Sequence, residues 1–170
     1  MKKSLFFVFL YCSLAINVMA KGVYQTPEQF LKTVFVTQIP TVKVLWLKAK
    51  DKKAIAEILH HKYNRMRVRY WQEGNDTVWI LDEIGKEKPI TIAVYIHKSA
   101  IAQLKVLTFR ETRGDEVRHE FFSEQFTEAT LTDNNMLSQH IDGITGATLS
   151  VRATTKVARL ALWLNAKVIQ

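Results

Sequence analysis

The segment 65–110 constrains the fold most, because its hydropathy takes a period of two and is interrupted only by short turns. Met66, Val68 and Tyr70 alternate with Arg65, Arg67 and Arg69, Glu73-Gly74-Asn75-Asp76 reads as a turn, and 77–84 reads as the return strand. A second hairpin follows, with 89–97 and 101–110 as strands and Lys98-Ser99-Ala100 between them. Strands joined by turns this short pair antiparallel, since a parallel pair needs a crossover of a dozen residues or more.

Helical signals flank this block. Thr26-Pro27-Glu28-Gln29 combines a capping hydroxyl, a proline at the first helical position and an amide three residues after the cap, which predicts a helix over 27–36 with Phe30, Leu31 and Val34 inward. The β-branched stretch 41–47 predicts a strand, and 51–61 carries Ile55, Ile58 and Leu59 at helical spacing. A short helix is expected over 115–126, with Val117, Phe121 and Phe122 as its apolar side. A long one is expected over 149–166, with Val157, Leu160, Ala161, Leu164 and Val168 in one stripe and Arg152, Lys156 and Arg159 in the other. The expected class is α+β, an antiparallel sheet of hairpins with helices packed on it.

Lys2 and Lys3 precede an apolar run over 5–18 that ends in Val18-Met19-Ala20, the pattern of a secretory signal peptide. The run is shorter than the roughly 20 apolar residues of a membrane span. The expected organisation is a signal peptide over 1–20 and a single domain over 21–170, in the periplasm or another extracytoplasmic compartment, with an uncleaved membrane anchor as the alternative. Cys12, the single cysteine, leaves with the peptide, so the mature chain must hold together by packing without disulfides. Cys-x-x-Cys-His is absent, which excludes c-type haem attachment. The formal charge of +8 becomes +6 when Lys2 and Lys3 are removed, a balance that favours anionic partners.

The histidines at 60, 61, 97, 119 and 140 share no metal-ligand spacing. Trp46, Trp71, Trp79 and Trp163 are large aromatics of the kind that fill cores, and none is singled out as a ligand contact. The Arg65, Arg67, Arg69 face reads as the wet side of a hairpin or as a dock for an acidic electron-transfer partner. Export argues against a nucleic-acid partner.

The chemistry concentrates in Asp142-Gly143-Ile144-Thr145-Gly146-Ala147-Thr148-Leu149-Ser150, at the mouth of the last helix. A plain helix start would need one hydroxyl, Thr148 or Ser150, as a cap and one glycine for the entry. This stretch holds more of both. Gly143 and Gly146 permit close backbone approach, and outward-pointing amides at Ala147, Thr148 and Leu149 would attract a phosphate. A threonine placed there can also be bonded to the phosphorus.

The string Asp142-Gly143-Ile144-Thr145-Gly146-Ala147-Thr148 resembles the flavinylation motif of FMN-binding domain proteins. That family includes the C subunit of sodium-pumping NADH:quinone oxidoreductases, the G subunit of Rnf electron-transport complexes, and small exported flavoproteins. A match of Asp-x-x-[Ser/Thr]-Gly-Ala-Thr is expected by chance in roughly one chain of this length in a few thousand. Glu111-Thr112-Arg113-Gly114, followed by Phe121 and the pair Gln125-Phe126, is similar to the family's Glu-Thr-x-Gly segment and its Phe-x-x-Gln-Phe helix. Arg113 replaces the proline usual in the respiratory-complex subunits, which points to the small exported branch. On its own, the 111–114 segment reads equally as a plain turn with Arg113 paired to an acid.

The resemblance covers 80–164 and implies FMN held covalently as a phosphoester on Thr148, with Asp142 as the motif's leading acid. It implies installation from FAD by a magnesium-dependent flavin transferase. Gly143, Thr145, Gly146, Ala147, Leu149 and Ser150, with Glu111, Thr112 and Arg113, are the expected surroundings of the cofactor. Such a protein is an electron carrier that serves a membrane-bound reductase or a cytochrome, rather than a stand-alone enzyme. The alternative is a binding module that holds an anionic, phosphate-containing ligand non-covalently at the same helix start.

Overall fold

The computed structural model describes residues 22–169. The signal-like segment and Cys12 lie outside the described residues. Five strands, β1 (Lys43–Trp46), β2 (Arg67–Glu73), β3 (Asp76–Ile84), β4 (Pro89–His97) and β5 (Ala100–Thr108), form one antiparallel sheet in the order β1-β2-β3-β4-β5. Four α-helices accompany it: α1 (Pro27–Val34), α2 (Ala49–Leu59), α3 (Glu120–Ser123) and α4 (Thr148–Val168). The α+β class read from the hairpins is the observed one.

Alternation sends the sheet's side chains into two cores. Trp79, Ile92 and Val94 join α2 and α4 on one face, while Val78, Ala93 and Leu107 meet Phe30 and Leu31 of α1 and Phe35 just after it on the other. With both faces covered, β4 is apolar almost throughout, from Ile90 to Ile96. The C-terminal half of α4 is keyed to β3 by a buried polar chain: Trp79 Nε1 donates to Thr77 Oγ1 at 3.0 Å, and Thr77 Oγ1 donates to Asn165 Oδ1 at 2.6 Å. Tyr70 stacks on Trp79 with ring centroids 4.7 Å apart.

The capping box at Thr26 and Gln29 forms with both of its hydrogen bonds. Residues 22–25 add a short antiparallel contact along β5, through the Val23–Thr108 bridge. Several expectations need correction. Strand β1 is shorter than 41–47, and Met66 lies just outside β2, exposed. The stretch 115–126 is three short turns of helix, a 3₁₀ turn (Asp115–Arg118), α3 and a second 3₁₀ turn (Glu124–Phe126). The break comes at His119, whose extended backbone ends the first turn. Because each turn restarts the periodicity, Val117, Phe122 and Phe126 are buried while Phe121 points to solvent. Arg159 is buried, although the stripe pattern of α4 places it with the exposed cations. Among the described residues no helix is long and apolar enough to cross a membrane.

Candidate functional site

Three loops meet where β3 and β5 end and β4 begins. Gly85–Lys88 turns β3 into β4, residues 109–114 leave β5, and 142–147 lead into α4. Their meeting encloses a cavity of about 220 Å³ lined by Lys86, Glu111, Arg113, Gly146, Ala147, Thr148, Leu149 and Ser150. Two segments far apart in sequence, each read as part of one site, are thereby brought together.

Thr148 is the first residue of α4 and its side chain is exposed. Neither Thr148 nor Ser150 caps the helix: the N-cap is Ala147, which makes no side-chain cap bond, and Ser150 is buried. The hydroxyl of Thr148 is therefore left over from the local hydrogen bonding. The Ala147 amide is also not available to a ligand, since it donates to Ile144 O at 3.0 Å across the preceding turn. The amides at the helix mouth are those of Thr148, Leu149 and Ser150, which have no helical carbonyl before them, and among the described residues none finds another acceptor. Gly146 sits at φ 86°, the left-handed backbone that turns the chain into the helix.

Gly114 joins the two halves of the site. It adopts φ 87°, and a Cβ placed there would lie 2.5 Å from Ser150 Oγ and 3.4 Å from the Ala147 Cα. The 111–114 turn can rest against the start of α4 only because this residue has no side chain. Thr112 faces the other way, into a neighbouring cavity of about 540 Å³ with Gly22, Tyr24, Phe109, Arg110, Glu111 and Asp115.

Glu111, which lines the cavity, also has a structural task. Its Oε1 accepts the backbone amides of Lys86, Glu87 and Lys88 at 2.5, 2.6 and 2.8 Å, so it clasps the β3–β4 turn and holds Lys86 at the cavity. Burial opposes its ionisation, but the three amides and the nearby Lys88 outweigh that and hold the carboxyl below its ordinary value. Asp142, Gly143 and Thr145 are exposed and lie outside the cavity lining. The Asp142 carboxylate is 3.6 Å from His140 Nε2, and its backbone amide donates to Gln125 Oε1 at 2.7 Å. Gln139 in turn donates from Nε2 to the carbonyls of Gln125 and Thr127. Gln125 thus fixes the loop that delivers the motif.

Lys86, Gly114, Gln125 and Tyr24 are parts of this arrangement that the motif reading did not single out. Gly114 and Gln125 stood inside the quoted family segments. Lys86 had a local signal only in the Gly-Lys-Glu-Lys turn, and Tyr24 had none. The cavity presents two cations, Lys86 and Arg113, and free amides, while its carboxylate is already occupied, so its chemistry suits an anion such as a phosphate ester. None of the four tryptophans lines it, and Trp79 is fully buried in the core.

A family model described as FMN-binding domain matches residues 85–162. The matched span begins at the turn that Glu111 clasps, contains both halves of the site, and ends within α4. No curated protein and no solved structure matches the chain. Residues 85–162 are therefore identified as an FMN-binding domain, with FMN as the ligand that the family takes.

Proposed function

We propose that this chain is an extracytoplasmic electron-transfer flavoprotein that carries FMN through a phosphoester on Thr148. The observation that carries the reading is Thr148 itself, an exposed, non-capping hydroxyl in front of unpartnered amides, in a cavity with Lys86 and Arg113. These residues fit the phosphate end of FMN: the helix start and the two cations receive negative charge, and the absent side chain of Gly114 lets the 111–114 turn close on one side. At about 220 Å³ the cavity is below the usual 300–1,000 Å³ of a small-molecule site, so it takes the phosphate end and leaves the rest of the cofactor outside it. A bound flavin supplies one- or two-electron redox chemistry, and the chain holds its phosphate and sets the charge around it.

In this reading a magnesium-dependent flavin transferase joins the Thr148 Oγ1 to the FMN phosphorus of FAD. The bond from that phosphorus to AMP breaks, and the hydroxyl proton leaves to a base on the transferase. FAD and threonine give flavinylated protein and AMP with no change of oxidation state. The exposure of Asp142, Gly143, Thr145, Gly146, Thr148 and Leu149 gives such an enzyme access. The signal-like pattern of the first twenty residues supports maturation and redox partners outside the cytoplasm. The test is to co-express the chain with a flavin transferase, denature it and separate it by gel filtration. Flavin absorbance that stays with the polypeptide supports the proposal, and flavin that is released makes the protein a non-covalent binding module.

A further inference from the structure

A second cationic groove runs along α4, outside the 146–150 cavity and sharing no residue with it. It encloses about 510 Å³ between the end of α2 and the exposed side of α4, and is lined by His60, Val151, Arg152, Thr155, Lys156 and Arg159. Arg152, Thr155 and Arg159 follow Thr148 at intervals of four, three and four residues, which aligns them on the same face of the helix.

Arg159 is the unusual member. Only 9% of it is exposed, and its Nε donates to the Asn135 carbonyl at 2.5 Å. Burial lowers its pKa from the ordinary arginine value. Such a charge normally has an acid beside it. Among the described residues the arginine ion pairs are those of Arg65 with Asp82 and of Arg118 with Asp115, so neither Arg152 nor Arg159 has a carboxylate within 4.0 Å. Glu83, which reaches the groove's Lys156 at 3.5 Å, is already engaged: it is buried and also accepts from His61 at 3.0 Å. The C-terminal carbonyls of α2 bring partial negative charge near His60, yet none is hydrogen-bonded to these cations. Two guanidinium groups and a shared ammonium are left facing a space of small-molecule size.

We propose that this groove is a binding site for a small oxyanion of two or more negative charges, phosphoryl or dicarboxylate, with Arg159 as its buried anchor and Arg152 as its exposed clamp. Paired guanidinium forks match such groups because each can donate two parallel hydrogen bonds to one carboxylate or phosphoryl face. Arg152 lies one helical turn, about 6 Å, along α4 from Thr148. The anion therefore sits beside the flavin attachment point, and its binding does not depend on the flavin.

The test uses the Thr148→Ala protein, expressed without a transferase and checked by mass to be free of flavin, titrated separately with pyrophosphate and with succinate by calorimetry. Saturable one-to-one binding of either is expected, weakened about tenfold or more by Arg159→Met, which keeps the buried stem, and by Arg152→Ala, which changes only an exposed side chain. The tighter of the two anions names the ligand class. No saturable binding of either anion, or wild-type affinity in a folded Arg152→Ala variant, overturns the proposal. So does an affinity that falls with Lys86→Ala instead, which would put the anion in the Thr148 cavity.

Discussion

Replacing Gly114 by alanine tests whether the two halves of the flavin site meet as described. The new methyl group meets two costs. Alanine in the left-handed backbone region at φ 87° is disfavoured by about 1–2 kcal/mol. The Cβ would also lie 2.5 Å from Ser150 Oγ, and relieving such overpacking costs about 1–3 kcal/mol. The sum, about 2–5 kcal/mol, is a large part of the 5–15 kcal/mol typical of a domain. For a chain of this size, at about 2–4 °C per kcal/mol, it should lower the melting temperature by roughly 4–20 °C in thermal unfolding followed by circular dichroism. The two costs can be separated. In Gly114→Ala/Ser150→Ala the close oxygen is gone and the two remaining contacts, to the Ala147 Cα and the Cβ at 150, are an ordinary 3.4 Å, so the contact part should return and only the backbone part remain. A Gly114→Ala protein that melts within about 2 °C of wild type would refute the packing of the 111–114 turn against α4.

Glu111→Gln should destabilise the protein by about 1–3 kcal/mol in urea unfolding, because the charged acceptor of three amides is lost. As its folded pKa is depressed, the Glu111 contribution is complete above the ordinary glutamate value and lost as pH falls through the folded value; the glutamine variant should show a flatter acid limb. His61 has the opposite sign. Its hydrogen bond to Glu83 raises its pKa against the effect of burial, so its contribution is present below the ordinary histidine value and fades as pH rises through the folded one. His61→Asn should abolish that dependence in a stability-against-pH series. Gln125→Leu should speed hydrogen exchange at the Asp142 amide and slow flavinylation while the protein stays folded. Arg113→Ala should leave the flavin attached and shift its reduction potential downward, since a nearby cation favours the anionic reduced form.

The parts of the fold that were legible in the sequence are those set by local chemistry. The Thr26–Gln29 box and the turns after Glu73 and His97 depend on a few adjacent residues, and they stand where the pattern put them. Residues 115–126 defeated the reading because three short turns offset one another and no single helical phase describes Val117, Phe122 and Phe126. Arg159 defeated it because a charge is assigned to solvent by default, whereas here a loop carbonyl 24 residues earlier draws it inward. At the site, the resemblance of 142–148 to the family's motif pointed to Thr148 and its glycines. What spacing could not convey was division of labour: Glu111 clasps a backbone turn, Ser150 packs under Gly114, and Lys86 arrives from a turn with no motif. Those roles depend on contacts between residues that are distant in sequence.

The Thr148 oxygen is where covalent attachment of the flavin is tested most directly. Intact-mass measurement after co-expression with a transferase proven on another substrate should show the wild type heavier by FMN less one water, roughly 438 Da. Thr145→Ala and Ser150→Ala should gain the same mass. Thr148→Ala should gain none while remaining folded, because its side chain neither caps the helix nor fills the core. A wild type without added mass, or a Thr148→Ala protein that still gains it, would contradict the assignment.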